Sequence, residues 1–173
     1  RFYGDETIAY YTAHGKKDMA GIDEDNVLAL LASETVVMHD HNTLNYNKKF
    51  SFGNIECSQH LERDCQKNTD DTQHEWSGKM KKLIGRTIKE RNAAISRGDT
   101  AFDAPYIRSF HEKVDEYLSE GWAENENEKE KYGAEYERSL LRRIKKYRMN
   151  YFRWLGDFSL PATNNSLRDA SGQ

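Results

Sequence analysis

Thr35-Val36-Val37-Met38-His39-Asp40-His41-Asn42 is an apolar run that breaks off at an acid flanked by two histidines. Val36, Val37 and Met38 are consecutive apolar residues, two of them β-branched. They predict a strand covered on both faces, because such a strand carries a continuous apolar run rather than an alternation. The run stops at Asp40. Open α/β sheets place ligands and chemistry at the carboxyl ends of their strands, and here a carboxylate stands between two imidazoles, with an amide following. Asp40 is therefore the leading candidate functional residue, flanked by His39 and His41. The alternative is an ordinary loop or capping aspartate.

Upstream, Arg1-Phe2-Tyr3 and Ile8-Ala9-Tyr10-Tyr11-Thr12 are β-prone runs on either side of Gly4-Asp5-Glu6-Thr7, which predicts a hairpin. An isolated hairpin is marginal, so a neighbouring strand is expected upstream. Asp25 or Asn26 is placed to cap a short helix through Val27-Leu28-Leu30-Leu31. Downstream, Phe50-Ser51-Phe52 and Ile55 suggest another short strand, and Glu56 to Lys67 a helix ended by the cap-rich Asn68-Thr69-Asp70-Asp71-Thr72.

Three amphipathic helices follow. Trp76, Met80, Leu83, Ile84, Ile88 and Ile95 share one face up to Arg97-Gly98. Asp103 caps and Pro105 opens a second helix, with Tyr106, Ile107, Phe110, Val114, Tyr117 and Leu118 on its stripe up to Gly121. After an acidic hinge from Glu124 to Lys131, the third carries Tyr136, Leu140, Leu141, Ile144, Tyr147, Tyr151 and Leu155 as far as Gly156. Three such stripes bury against one another, which predicts a helical subdomain with Leu141 and Ile144 inside. The tail, Phe158 to Asn165, is extended and leads to a cap signal.

At 173 residues the chain is long enough for a real core. Charged residues at 32% and aromatics at 12% suit helices with solvated outer faces. A net charge of −3 excludes a globally basic nucleic-acid binder and leaves only local clusters to hold phosphates. No apolar run approaches the roughly 20 residues of a membrane span, and no basic-then-apolar leader opens the chain. Cys57 and Cys65 lie eight apart on one expected helix, about 12 Å, too far for a disulfide. A reducing cytoplasm follows as the simpler expectation. Cys57, His60 and Cys65 lack the second ligand pair of a zinc site.

Several ordered motifs carry a resemblance: Val37-Met38-His39-Asp40-His41, Glu56-Cys57-Ser58-Gln59-His60-Leu61-Glu62-Arg63-Asp64, Leu140-Leu141-Arg142-Arg143 through Tyr147, Asn150-Tyr151-Phe152, and Pro161-Ala162-Thr163-Asn164-Asn165. In these the chain resembles the bacterial insertion-sequence transposases of the sixty-six family, over nearly its whole length. The resemblance implies an α/β fold, a partial ribonuclease-H-like core with a large all-helical insertion. It divides the chain into a core at 1–71, an insertion at 72–156 and a return segment at 157–173 leading into the final catalytic helix.

By that resemblance Asp40 matches the second acid of an Asp, Asp, Glu metal site holding Mg2+ or Mn2+, and the reaction is two-metal phosphoryl transfer. The partners implied are transposon-end and target DNA, a second copy of the chain and small companion proteins, in the bacterial cytoplasm at the nucleoid and away from membranes. His39, His41, Cys57, His60, Arg63, Asn164 and Asn165 belong to the family motifs, and histidine is a poorer magnesium ligand than oxygen. The family's first aspartate is expected upstream of Arg1. Its Glu-Arg pair after the double asparagine has no counterpart, because Ser166-Leu167-Arg168 follows Asn165. The chain as written supplies one acid of three. A catalytically inactive remnant that binds DNA or a protein partner is the rival reading, and a metal hydrolase built on His39-Asp40-His41 a more distant one.

Two basic clusters stand out. Lys79, Lys81, Lys82, Arg86, Lys89 and Arg91 read as a solvated face paired with nearby glutamates. Arg142, Arg143, Lys145, Lys146, Arg148 and Arg153, with Arg168 further on, read either as such a face or as a track for DNA phosphates. The Tyr and Trp stripe is expected in the core rather than as a base-stacking platform.

Overall fold

The computed structural model of the chain describes residues 2–3, 9–10, 28–126 and 133–164. The expected turn at Gly4 to Thr7, the cap at Asp25 or Asn26, the end of the acidic hinge, and Asn165, Arg168 and the helix expected around them lie outside the described residues. The chain forms two compact units, Arg1–Ile55 and Glu56–Gln173. The division lies upstream of the 71/72 boundary expected from sequence.

In the first unit β1 (Phe2–Tyr3) pairs antiparallel with β2 (Ala9–Tyr10), with Phe2 opposite Tyr10 and Tyr3 opposite Ala9. After a single 3-10 turn at Leu28–Leu30 comes β3 (Val36–His39). It forms a two-stranded parallel sheet with β4 (Gly53–Glu56), and the Gly53 amide donates to the Thr35 carbonyl at 2.8 Å. Parallel strands need a crossover of about a dozen residues. Here that crossover contains a 3-10 turn, Thr43–Tyr46, capped by Asn42, whose side chain accepts from the Leu44 amide.

Two expectations are corrected in this unit. The second strand begins at Gly53, because Phe50 and Phe52 are taken up in stacking on each other, 5.3 Å between ring centres, with Phe52 buried. β3 is half-buried along its whole length rather than covered on both faces. One partner strand leaves more of a ribbon open than a central position in a wide sheet would.

The second unit holds α1 (Ser58–Thr72), α2 (Glu75–Ser96), α3 (Ala104–Glu126) and α4 (Ala134–Tyr151), then a 3-10 turn at Arg153–Leu155. The apolar stripes meet as expected. Trp76, Met80, Ile84, Val114, Leu141 and Ile144 are fully enclosed, whereas Ile95 at the end of α2 is exposed. α1 joins them, contributing Leu61 and Cys65 to the same core.

α1 also runs through Asn68–Thr72, which reads as loop in sequence. Thr69 and Thr72 donate their hydroxyls to the carbonyls of Cys65 and Asn68, and Asn68 is buried against α4, so tertiary contacts override the local signal. The helix ends one residue later at Gln73, in the left-handed region with φ 63°.

α3 does not stop at Gly121 as expected. Gly121 is an interior, buried position where α2 and α4 approach the backbone. At the other end Asp103 accepts from the Tyr106 amide at 2.8 Å, as an N-cap should. Asp103→Ala is expected to cost about 1 kcal/mol, read as a lower urea midpoint at unchanged slope.

α4 bends at Tyr147 (φ −105°, ψ 19°), so the stripe that is continuous in sequence is split between a helix and the turn holding Trp154 and Leu155. The return segment is laced to the bundle by its backbone. Arg91 donates to the carbonyls of Phe158 and Leu160 at 2.6 and 2.8 Å, and the Ser58 amide donates to Ala162 O at 3.1 Å. Arg91 is therefore a buried strap, not part of a solvated basic face.

Candidate active-site carboxylate and basic helix

Asp40 follows the last residue of β3 and is exposed. His39 is held in place beside it. Its Nδ1 donates to the Asp40 carbonyl at 2.9 Å, its Nε2 lies 2.8 Å from the Asn54 side chain on β4, and its ring meets Tyr46 edge-on at 5.6 Å. Both imidazole nitrogens thus face protein groups, which gives His39 the part of fixing the turn after the strand rather than of a ligand. His41 is half-buried.

The remaining motif residues lie in the second unit. Cys57 is buried immediately before α1, and Cys57 and Cys65 are both free thiols. Burial pushes the Cys65 thiol far up, so it is chemically inert. His60 is half-buried on α1, and the exposed Arg63 donates to Gln59 at 3.3 Å one turn back. Asn164 is half-buried at the end of the return segment.

The cations of α4 divide into two sets. Arg143 is mostly buried and paired with Asp64 of α1, and Arg148 forks onto Asp115 of α3, holding that carboxyl below its ordinary value. Arg142, Lys145, Lys146 and Arg153 are exposed. Arg142 lies 3.3 Å from Glu135 and 5.8 Å from the centre of the Trp122 ring, and the Lys146 ammonium is 4.9 Å from the Tyr147 ring centre. On α2, Lys79 pairs with Glu75 and Glu120 and Arg86 with Glu90, the solvated and paired arrangement expected of that cluster.

One feature of the bundle went unread in the sequence: a buried carboxylate at its centre. Glu137 of α4 is fully enclosed and accepts from Trp76 Nε1 at 2.7 Å, Asn68 Nδ2 at 2.9 Å, Asn125 Nδ2 at 2.6 Å and His74 Nδ1 at 2.9 Å. All four helices, or the residue leading into one, reach this group. Burial raises its carboxyl and the hydrogen bonds outweigh that, leaving it below the ordinary carboxylate value. A signal was present, because Glu137 precedes Leu140, Leu141 and Ile144 by three, four and seven residues, an acid at a core position of the stripe.

Among the described residues no helix is long and apolar enough to cross a membrane. Comparison with protein-family models, curated proteins and solved structures finds no match to this chain.

Proposed function

We propose that the chain is part of a DNA transposase catalytic domain, ribonuclease-H-like with a helical insertion, that performs metal-dependent phosphoryl transfer on transposon-end DNA. The order of the motifs supports this reading, and the observation that carries it is Asp40, an exposed carboxylate just past the carboxyl end of a strand in a parallel pair, followed in sequence by an all-helical unit.

A carboxylate oxygen suits magnesium or manganese. Glu34 precedes β3 and Asp40 follows it, so of these two only Asp40 stands at that strand's carboxyl end, while the buried Glu56 is the last residue of β4. One carboxylate does not fit a pair of ions about 4 Å apart, which requires several converging acids. The remaining acids of the proposed site are those the family resemblance puts upstream of Arg1 and after Asn165.

The chain by itself is expected to cleave no transposon-end DNA in magnesium or manganese. The full-length gene product cleaves it, and Asp40→Asn, which keeps the shape and removes the charge, abolishes cleavage while DNA binding persists. Cleavage by the Asp40→Asn full-length product overturns the reading. The second reading is an inactive remnant that binds DNA through α4, favoured by the exposed cations of that helix. Absence of cleavage by the full-length product, with DNA binding retained, selects it.

A further inference from the structure

We infer that the outer face of α4 and the turn after it is a docking surface for the phosphate backbone of duplex DNA, with Arg142, Lys145, Lys146 and Arg153 as the contacting cations and with Arg143 and Arg148 excluded. This deepens the DNA reading above and rests on it. Positions 142, 145, 146 and 149 recur at spacings of three and four on α4, Arg153 stands in the 3-10 turn beyond its end, and all five are exposed. Four are cationic, and Arg142 to Met149 span about 10 Å at 1.5 Å per residue. A duplex presents about six charges over that length.

Three acids near these cations have partners, Asp157 beside Arg153 accepting from the amide and hydroxyl of Ser159. Glu135 is bonded to Arg138 as well as Arg142, and Asp115 is taken by Arg148. Arg143 and Arg148 are both mostly covered and each is bonded to a carboxylate on a neighbouring helix, so they hold α4 against α1 and α3 and are not available to a ligand.

The chemistry of the face selects a duplex backbone over other polyanions. Single-strand binders combine cations with exposed rings on which bases stack. The tyrosines of this segment, Tyr147 and Tyr151, point into the core, and Trp122 of α3, though exposed, has its ring already under the Arg142 guanidinium. An anionic membrane surface calls for a row of large apolar side chains beside the cations. Met149 is the only exposed large apolar residue of α4 among those described.

The test is a titration of a fluorescent 20-base-pair duplex of arbitrary sequence with the chain, over several salt concentrations. Lys145→Ala with Lys146→Ala is expected to weaken binding and to flatten the slope of log affinity against log salt by about 1.8, roughly 0.9 for each phosphate no longer neutralised. Lys82→Ala with Lys89→Ala removes the same charge from exposed positions of α2 and is expected to leave the slope unchanged. Circular dichroism melts of both variants should match the parent, since all four side chains are in solvent.

If the parent binds duplex but the α4 variant keeps its slope, or the α2 variant loses as much, the docking surface is overturned and the DNA reading stands. Tighter binding to the single strand than to the duplex, or binding to anionic vesicles in preference to duplex, also overturns the surface. If the parent binds no duplex at all, the DNA reading itself falls.

Discussion

Glu137→Ala is expected to destabilise the helical unit by about 3–5 kcal/mol, the cost of removing one partner from a buried, charged hydrogen-bond network. The carboxylate is enclosed with no exposed surface, and Trp76, Asn68, Asn125 and His74 all spend donors on it. Alanine leaves those donors facing a void, and each unsatisfied buried donor costs about 1–3 kcal/mol unless water enters. The urea midpoint should fall sharply. Glu137→Gln preserves volume but turns an NH2 toward groups that are themselves donors, so it should also destabilise, by about 1–3 kcal/mol.

The pH dependence carries a definite sign. The folded carboxyl of Glu137 lies below its ordinary value of 4.5, so its contribution is fully present above that value and is lost as pH falls through the lower folded one. Asp115, held down by Arg148, acts in the same direction and is common to parent and variant. Between about pH 6 and pH 3 the parent should therefore lose more stability than Glu137→Gln does, and the difference between the two curves isolates this carboxylate. Equal losses would mean that folding does not lower this carboxyl, and a smaller loss in the parent that it is protonated in the fold.

Gly121→Ala is the second large effect, and it comes from space rather than charge. A Cβ at this position would lie 2.7 Å from Leu141 Cδ2 and 2.8 Å from the Trp76 ring. Neither neighbour can yield easily, because both are fully enclosed and Trp76 is anchored to Glu137 through its indole nitrogen. Overpacking of this kind costs about 1–3 kcal/mol even though alanine is the better helix former. Gly121→Val should cost more. A thermal melt in which Gly121→Ala is more stable than the parent would show that α3 and α2 do not cross this closely.

The helical unit was largely legible because its signals are periodic. Trp76, Met80 and Ile84 mark a face by spacing alone, and Asp103 with Pro105 marks a start. What was misread there depends on distant residues. Gly121 reads as a stop because a glycine weakens a helix locally, but its use is to let Trp76 and Leu141 approach. Asn68 to Thr72 reads as loop because those side chains compete for backbone groups, and they are recruited into a helix by Glu137, 69 residues away for Asn68.

The first unit was legible only at its strands. Val36 to Met38 announced β3, but how well a strand is covered depends on what packs on it, which a short apolar run does not specify. For the basic helix, sequence identified six cations without sorting them. The sorting comes from Asp64 and Asp115, on other helices, which withdraw Arg143 and Arg148 and leave Arg142, Lys145, Lys146 and Arg153 outward.

On the proposed reading, Asp40 at the end of β3 is one acid of a metal site. A manganese anomalous-difference map of the full-length gene product, crystallised with a DNA duplex, decides between this reading and its rivals. The expected result is a peak in contact with the Asp40 carboxylate and with further acids, absent in Asp40→Asn. Manganese bound elsewhere, with Asp40 turned to solvent and cleavage intact, would contradict it.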